Sequence, residues 1–340
     1  MQRIELKTIA EELNISQTTV SRALSGNGRV SQKTKDKINK YIADNGYEVK
    51  CKTMEYSFKK KTNNICVTLP GEDNFAEMPY FNATLLSIID YYATRNYNVI
   101  PIKTSADDIS ELKKIVKHHK IDGVILTRTI KNGIDIEFLK EHQVPFIVIG
   151  SYEDDNVYQV DVDQENGCKE LTSLLLKMGY RRLALLCADM THVVTQNRYN
   201  GFFKAHVEND IAFDSSFVFD EAGYPSRTAQ ALDDCLKNQI ECIVCMDDNI
   251  CVNVLNRLKV ENVAVPRDIK VASFYDSSVL EMHYPPITAL EFNTRDLGWT
   301  AAKNLYEYLQ GNEIPHRQLL GYQLILRDST KITKESERGE

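Results

Sequence analysis

No apolar run approaches the roughly 18 residues that a bilayer-spanning helix needs, so no membrane contact is expected of this 340-residue chain. The apolar segment of a secretory signal is missing too. Arg3, Glu5 and Lys7 stand at the start instead, and the cytoplasm is the expected compartment. Neither a Gly-x-Gly-x-x-Gly nor a Walker stretch occurs, which withholds support from a dinucleotide- or NTP-binding enzyme, and no cofactor is expected. An activated nucleophile or general-base pair is not visible among seven His and scattered Asp, so an enzyme of the sugar-processing kind has no motif behind it. Eight cysteines include one Cys-x-x-Cys, Cys242 to Cys245. No second Cys or His pair joins it at finger spacing, and Ile243-Val244 fill it as a buried strand would. Reduced core thiols are therefore expected, with no structural metal. The tail from Thr330 to Glu340 lacks a leucine heptad and gives no support to a coiled-coil tetramer.

What is present is ordinary globular composition, 43% hydrophobic and 26% charged, over a length sufficient for two or three domains. The charge is unevenly placed. Residues 1–61 hold 13 Lys and Arg against 7 Asp and Glu, a net +6, which leaves −13 for the remainder of a chain whose total is −7. A basic head on an acidic body concentrates attraction for phosphate in one place and repels DNA elsewhere.

Within that head, Leu6, Ile9, Ala10 and Leu13 are spaced for one face of a short helix. Asn14-Ile15 breaks the pattern. Ser16 can then cap a second helix, and Ile15, Val20, Ala23 and Leu24 form the second apolar set. Two short helices joined by a tight turn read as a helix-turn-helix, with Gln17, Thr18, Ser21 and Arg22 on the polar face able to reach bases or phosphates. An amphipathic hairpin with a solvated face is the plain alternative. Ser31 can cap a third helix with Ile38 and Ile42 on one side.

The order Thr19-Val20-Ser21-Arg22-Ala23-Leu24, Gly26-Asn27-Gly28, Val30-Ser31 and Gly46-Tyr47 resembles the N-terminus of the LacI/GalR family of bacterial transcription regulators. The resemblance implies a small all-α three-helix headpiece over residues 1–47. Ser16, Gln17, Thr18, Ser21, Arg22, Asn27, Ser31 and Tyr47 would lie at the DNA. Residues 48–62 would be a hinge linker. Its usual Tyr-x-Pro-Asn opening is replaced by Glu48-Val49-Lys50, and no leucine occurs between 48 and 61 to enter the minor groove. Met54, Tyr56 or Phe58 could serve as the apolar wedge. A mere tether with phosphate contacts is the equal alternative.

From Asn64 onward short apolar runs alternate with helical periodicity. The strand-like runs are Ile65–Pro70, Asn98–Ile102, Gly123–Leu126, Pro145–Ile149, Arg182–Cys187, Cys242–Cys245 and Ile269–Phe274, with a last stretch from Gln318 to Leu326. This indicates α/β lobes with parallel doubly wound sheets. Landmarks such as Asp122-Gly123-Val124-Ile125-Leu126, Met178-Gly179-Tyr180-Arg181, Arg198-x-x-Gly201 and Pro285-Pro286-Ile287-Thr288 extend the resemblance over residues 63–330, as the family's periplasmic-binding-protein-like effector and dimerisation domain. It implies lobe 1 at about 63–162 and 293–321, lobe 2 at about 163–292 and 322–330, and a tail at 331–340.

The same resemblance places Tyr80, Phe81, Arg198, Tyr224, Asp247, Asp248, Tyr275 and Asp276 near the interlobe cleft. Aromatic faces that stack on a pyranose and Arg or Asp groups that bond its hydroxyls suit a sugar. Two positions depart from the family pattern. Asp247-Asp248 replaces Asn-Asp, and Ser273-Phe274-Tyr275-Asp276 replaces Gly-Phe-Asp-Asp, so the hydroxyl pattern read here differs from the commonest one. Tyr152, Tyr158 and Trp299 could be core or surface packing. The expected function is a homodimeric repressor of double-stranded operator DNA, controlled by a small-molecule effector, a sugar. The alternatives are a sugar sensor acting through a protein partner, and a regulator answering to a purine or a phosphocarrier protein.

Overall fold

The computed structural model describes residues 2–4, 6–17, 19, 20, 23, 30–45, 47–49, 61–71 and 79–332. It divides into two compact units, residues 1–61 and 62–340.

In the first unit the helix Leu6–Glu12 ends on Asn14, whose φ of +52° turns the chain in the left-handed region that Asn tolerates. Ser16 then accepts from the Thr19 amide at 3.0 Å, capping the second helix. Ser31 accepts from the Thr34 amide at 3.3 Å and opens the helix Gln32–Asp44. The core is Ile9, Ala10, Val20 and Ile38, with Leu13, Ile15, Ala23, Tyr41 and Ile42 around it. These are the periodic positions of the sequence. An addition to the expected all-α headpiece is a parallel pair of short strands, Gln2–Ile4 with Tyr47–Val49.

The second unit begins on a clamp. The Asp122 carboxylate accepts from the Thr62 amide and hydroxyl at 2.8 Å each and from the Asn63 amide at 2.9 Å. Two six-stranded sheets follow. The first runs Arg317–Leu320, Gln159–Val162, Phe146–Ile149, Gly123–Leu126, Asn64–Pro70, Asn98–Thr104, all parallel. The second runs Tyr322–Ile325, Thr288–Phe292, Lys270–Ser273, Cys242–Cys245, Leu183–Leu186, Val218–Phe219. It is parallel except for its Tyr322–Ile325 edge, which is antiparallel to Thr288–Phe292. The stretch from Gln318 to Leu326 is thus two strands in two sheets, parted at Gly321, and not one. All seven described cysteines are free and buried, and Cys242 and Cys245 lie inside a central strand.

The chain passes between the lobes after Val162, Phe292 and Leu320. The first two passages end in a capped helix: Asp163 accepts from the Asn166 amide at 3.3 Å and Asn293 from the Asp296 amide at 3.1 Å. Helix Gln164–Lys177 then packs closely on Val193–Glu208. At Gly201 a Cβ would stand 2.8 Å from the Cys168 side chain and would press on the Glu165 carbonyl, so only glycine allows this approach. No described helix is long and apolar enough to cross a membrane.

Gly201→Ala is expected to lower the unfolding free energy by about 1–3 kcal/mol in urea titrations, because the obstructing atoms include backbone that cannot yield. Gly223→Ala, where the added carbon meets nothing within 4 Å, is the control and should stay within about 0.5 kcal/mol. Equal effects from the two would refute the close-packing account.

Candidate functional site

In the first unit, Gln17 is exposed beside the Ser16 cap. Ser16 and Ser31 cap their helices, and each hydroxyl also shares a hydrogen bond with the threonine three residues on, Thr19 at 2.8 Å and Thr34 at 2.7 Å. Tyr47 is described through its backbone alone, as the first residue of a strand. Thr18, Ser21, Arg22, Asn27, Met54, Tyr56 and Phe58 lie outside the described residues.

The second site is the cleft of the second unit, bordered by the carboxyl ends of the strands of both lobes, where open α/β sheets take ligands. Arg198 sits there on helix Val193–Glu208, 9% exposed. Its Nε donates to Gln164 Oε1 at 2.9 Å and an Nη donates to the Met246 carbonyl. Its guanidinium carbon lies 5.9 Å from the centre of the Phe292 ring. Phe292 in turn stacks on Tyr275 at 6.5 Å and 20°, and Tyr275 meets Tyr80 edge-on at 5.9 Å. Tyr80 belongs to lobe 1 and Tyr275 to lobe 2, so this contact spans the cleft. Phe81 packs against Tyr80 at 5.0 Å.

Carboxylates outnumber the guanidinium. Asp161, at the end of a lobe 1 strand, accepts from Ser151 Oγ at 2.7 Å and the Val162 amide at 2.8 Å. Asp247 caps helix Asp248–Val260 by accepting from the Ile250 amide at 2.8 Å, and Asp248 accepts from the Asn249 amide at 3.1 Å. All three feel the Arg198 charge, yet burial, the dominant influence, raises the pKa of each. For Asp247 the value is pushed up to about 6, with the Asp248 charge adding to the effect of burial.

Beyond this cluster the lobes meet again through main chain. Ile130 and His192 form an antiparallel bridge, with the Lys131 amide donating to the Thr191 carbonyl at 3.1 Å and the Val193 amide to the Thr129 carbonyl at 3.3 Å. Beside the bridge lies a cavity of about 430 Å³ lined by Lys131 and Asn132 from lobe 1 and by Asp189, Thr191, Asp220 and Glu221 from lobe 2, among others.

Two expected residues stand apart. Both oxygens of Asp276 are held by Arg327, at 2.9 and 2.7 Å, which commits this carboxylate to a buried ion pair. That differs from the expectation of a ligand contact. Tyr224 is exposed at the start of helix Pro225–Lys237, outside the aromatic cluster. Of the tyrosines and tryptophan left open, Trp299 packs on Tyr91 and Tyr158 on His316, while Tyr152 lies beside Lys140. Sequence reasoning missed Asp161, Gln164 and Phe292. The only signal for Asp161 was a carboxylate alternating with valines in the stretch Gln159–Val162.

Residues 5–49 match the family described as bacterial regulatory proteins, lacI family, and residues 172–330 match the periplasmic binding protein-like domain. The chain is similar to the HTH-type transcriptional regulator MalR of Staphylococcus xylosus, 24% identical over 98% of this chain and 99% of MalR. Among solved structures, a complex of the transcriptional regulator CelR with cellobiose superposes with a TM-score of 0.71 at 22% identity, covering 96% of this chain and all of that one. A probable maltose operon repressor, malR, from Staphylococcus aureus superposes with a TM-score of 0.75 at 22% identity, over 80% of this chain and 99% of that one.

Because the folded pKa of Asp247 lies above its ordinary value, the folded chain binds the proton more tightly than the unfolded one. The ionised carboxylate therefore costs stability at neutral pH, and this cost fades as pH falls from about 6 towards 4. Asp247→Asn keeps the capping oxygen and should raise the unfolding free energy by roughly 2 kcal/mol near pH 7.5. The gain should vanish near pH 4, as read by denaturant titrations at the two pH values. A pH-independent difference would rule out the buried charge as its source.

Proposed function

From a chain that belongs to the LacI family of bacterial transcription regulators, with a helix-turn-helix domain followed by a periplasmic-binding-protein-like domain, we propose a repressor whose operator affinity is set by a sugar held between the lobes. The observation that carries the reading is the cluster of Arg198, Tyr80, Tyr275 and Phe292, built from both lobes. A ligand seated on it touches both sides of the cleft and favours one lobe arrangement over another, which is the differential affinity that a population shift requires. Polar groups and aromatic faces around one buried Arg match the recognition of vicinal hydroxyls and of the C–H face of a pyranose. The relative solved with cellobiose and the one named for a maltose operon support a sugar.

Gln17, Thr18, Ser21 and Arg22 are the side chains proposed to read the major groove, with Ser16, Asn27, Ser31 and Tyr47 on phosphates. Met54 and Tyr56 would follow the DNA from the linker. Two copies of the chain would set two recognition helices about 34–36 Å apart on a near-palindromic site. Exposed apolar residues in each lobe offer faces for that second copy, Leu86 and Ile89 in one, Val279, Met282 and Tyr284 in the other. Such a regulator works in the cytoplasm, where the DNA is.

The test is fluorescence anisotropy of the full chain on its own upstream intergenic DNA, against scrambled DNA of equal length, at two salt concentrations. Sequence-dependent binding that weakens with a log–log salt slope of several is expected. Arg22→Ala should cost at least about 1–3 kcal/mol in specific binding while leaving ligand binding intact. Equal affinity for both DNAs would contradict the operator reading, and loss of ligand binding in the variant would contradict the separation of the two modules.

A further inference from the structure

We infer that the interlobe cleft is built for a polyhydroxylated ligand bearing a cationic amine, an amino sugar or amine-bearing glycoside, in preference to a neutral or phosphorylated sugar. The inference rests on the reading of the cleft as an effector site and names the class of ligand it takes.

The first observation is on the floor of the cleft. The buried Asp161 and Asp248, with Asp247 beside them, feel the charge of a single guanidinium, Arg198, whose hydrogen bonds go to neutral acceptors, Gln164 and the Met246 carbonyl. Each carboxylate receives neutral donors: the Ser151 hydroxyl and Val162 amide for Asp161, the Ile250 amide for Asp247, the Asn249 amide for Asp248. The other titratable groups facing them are Tyr80, Tyr275 and Cys245, which supply no positive charge; the exposed Arg317 reaches Asp161 only through the Ser151 hydroxyl, to which it donates at 3.5 Å. Asp276 next to Tyr275 is neutralised by Arg327 and drops out. Ionised, the floor carries a surplus of two negative charges in a place that burial makes hostile to them.

The second observation is the set of ring faces, Tyr80, Tyr275 and Phe292, which accept an ammonium as readily as an apolar C–H face. The outer cavity of about 430 Å³ adds no surplus charge: Lys131, Arg227 paired with Glu221 at 3.2 Å, and the Arg128 charge that reaches Asp189 offset Asp189, Asp220 and Glu221. A phosphoryl group would meet repulsion from the carboxylates of the floor.

A floor with surplus negative charge gains from a cation, and a cation and a neutral ligand differ in their pH signature. A neutral sugar donates its hydroxyls to carboxylates in either protonation state, so its affinity does not rise as pH passes upward through about 6. An ammonium requires ionised carboxylates and binds more tightly as pH rises through the same range, up to the point where the amine itself deprotonates.

The experiment is isothermal titration calorimetry of the full chain with matched sets: glucosamine, glucose and N-acetylglucosamine, the three galacto counterparts, and glucose phosphate. Near neutral pH the amine of a set should bind about tenfold or more tightly than its hydroxyl and N-acetyl partners. The advantage should shrink to about threefold or less near pH 5. Asp161→Asn and Asp248→Asn, each checked for an unchanged fold by circular dichroism, should reduce it at neutral pH. Tighter binding of a neutral or phosphorylated member overturns the inference and leaves the sugar-controlled reading standing. An amine advantage untouched by both variants overturns it as well. Absence of binding by every member overturns the inference together with the sugar reading of the cleft, while operator binding is judged separately by anisotropy.

Discussion

A guanidinium buried where two lobes meet must find acceptors from more than one element, and the way Arg198 is satisfied ties the whole regulatory unit together. Its Nε bond reaches Gln164, the first residue of the helix after the first interlobe passage. Its cation lies near Phe292, the last strand residue before the second passage. Phe292 touches Tyr322, the first strand residue after the third. One side chain is therefore in contact, directly or through one ring, with every place where the chain changes lobe. Gly201 makes this possible by letting the Arg198 helix close on the helix that carries Gln164. A ligand that rearranged Arg198 would act on all three passages together, which would give a small molecule leverage over the lobe arrangement.

The cleft is stabilised by its packing and penalised by its charge. Aromatic rings from both lobes seal its centre, and the Ile130–His192 bridge adds main-chain hydrogen bonds between the lobes beside the outer cavity. Against this stand Asp161, Asp247 and Asp248, all with pKa values raised by burial. An arrangement that is well packed yet short of positive charge would favour a ligand able to relieve it, since binding would then stabilise this lobe arrangement by mass action. Functional sites commonly hold such unrelieved strain, and a change that relieves it without ligand gains stability at the expense of response.

Much of this was legible in the residues. The headpiece core follows the 3.6-residue spacing of Ile9, Ala10, Val20 and Ile38 because each helix has one face to bury. The central strands were plain as short apolar runs because both faces of these parallel sheets are covered. Arg198 was found through Arg-x-x-Gly, whose glycine has a packing reason. What escaped depends on distant partners. Nothing local says that Asp276 is taken by Arg327, 51 residues away, or that Gly321 parts one apolar stretch into strands of two sheets. Asp161, Gln164 and Phe292 enter the cleft only because the chain crosses between lobes beside them. The two-residue strand Val218–Phe219 is too short for any periodicity to show.

The central claim is that one site governs the other: a ligand in the cleft changes the grip of the headpiece on DNA. Linkage makes that claim quantitative, because each ligand must alter the affinity of the other by the same factor. The most direct measurement is a reciprocal pair of titrations on the full chain, operator affinity with and without saturating cleft ligand, and ligand affinity with and without saturating operator. The account predicts one common factor in both directions, on the order of 5–150-fold, with scrambled DNA giving none. Tight ligand binding that leaves operator affinity unchanged would contradict it, and the cleft and the headpiece would then be two independent binding modules on one chain.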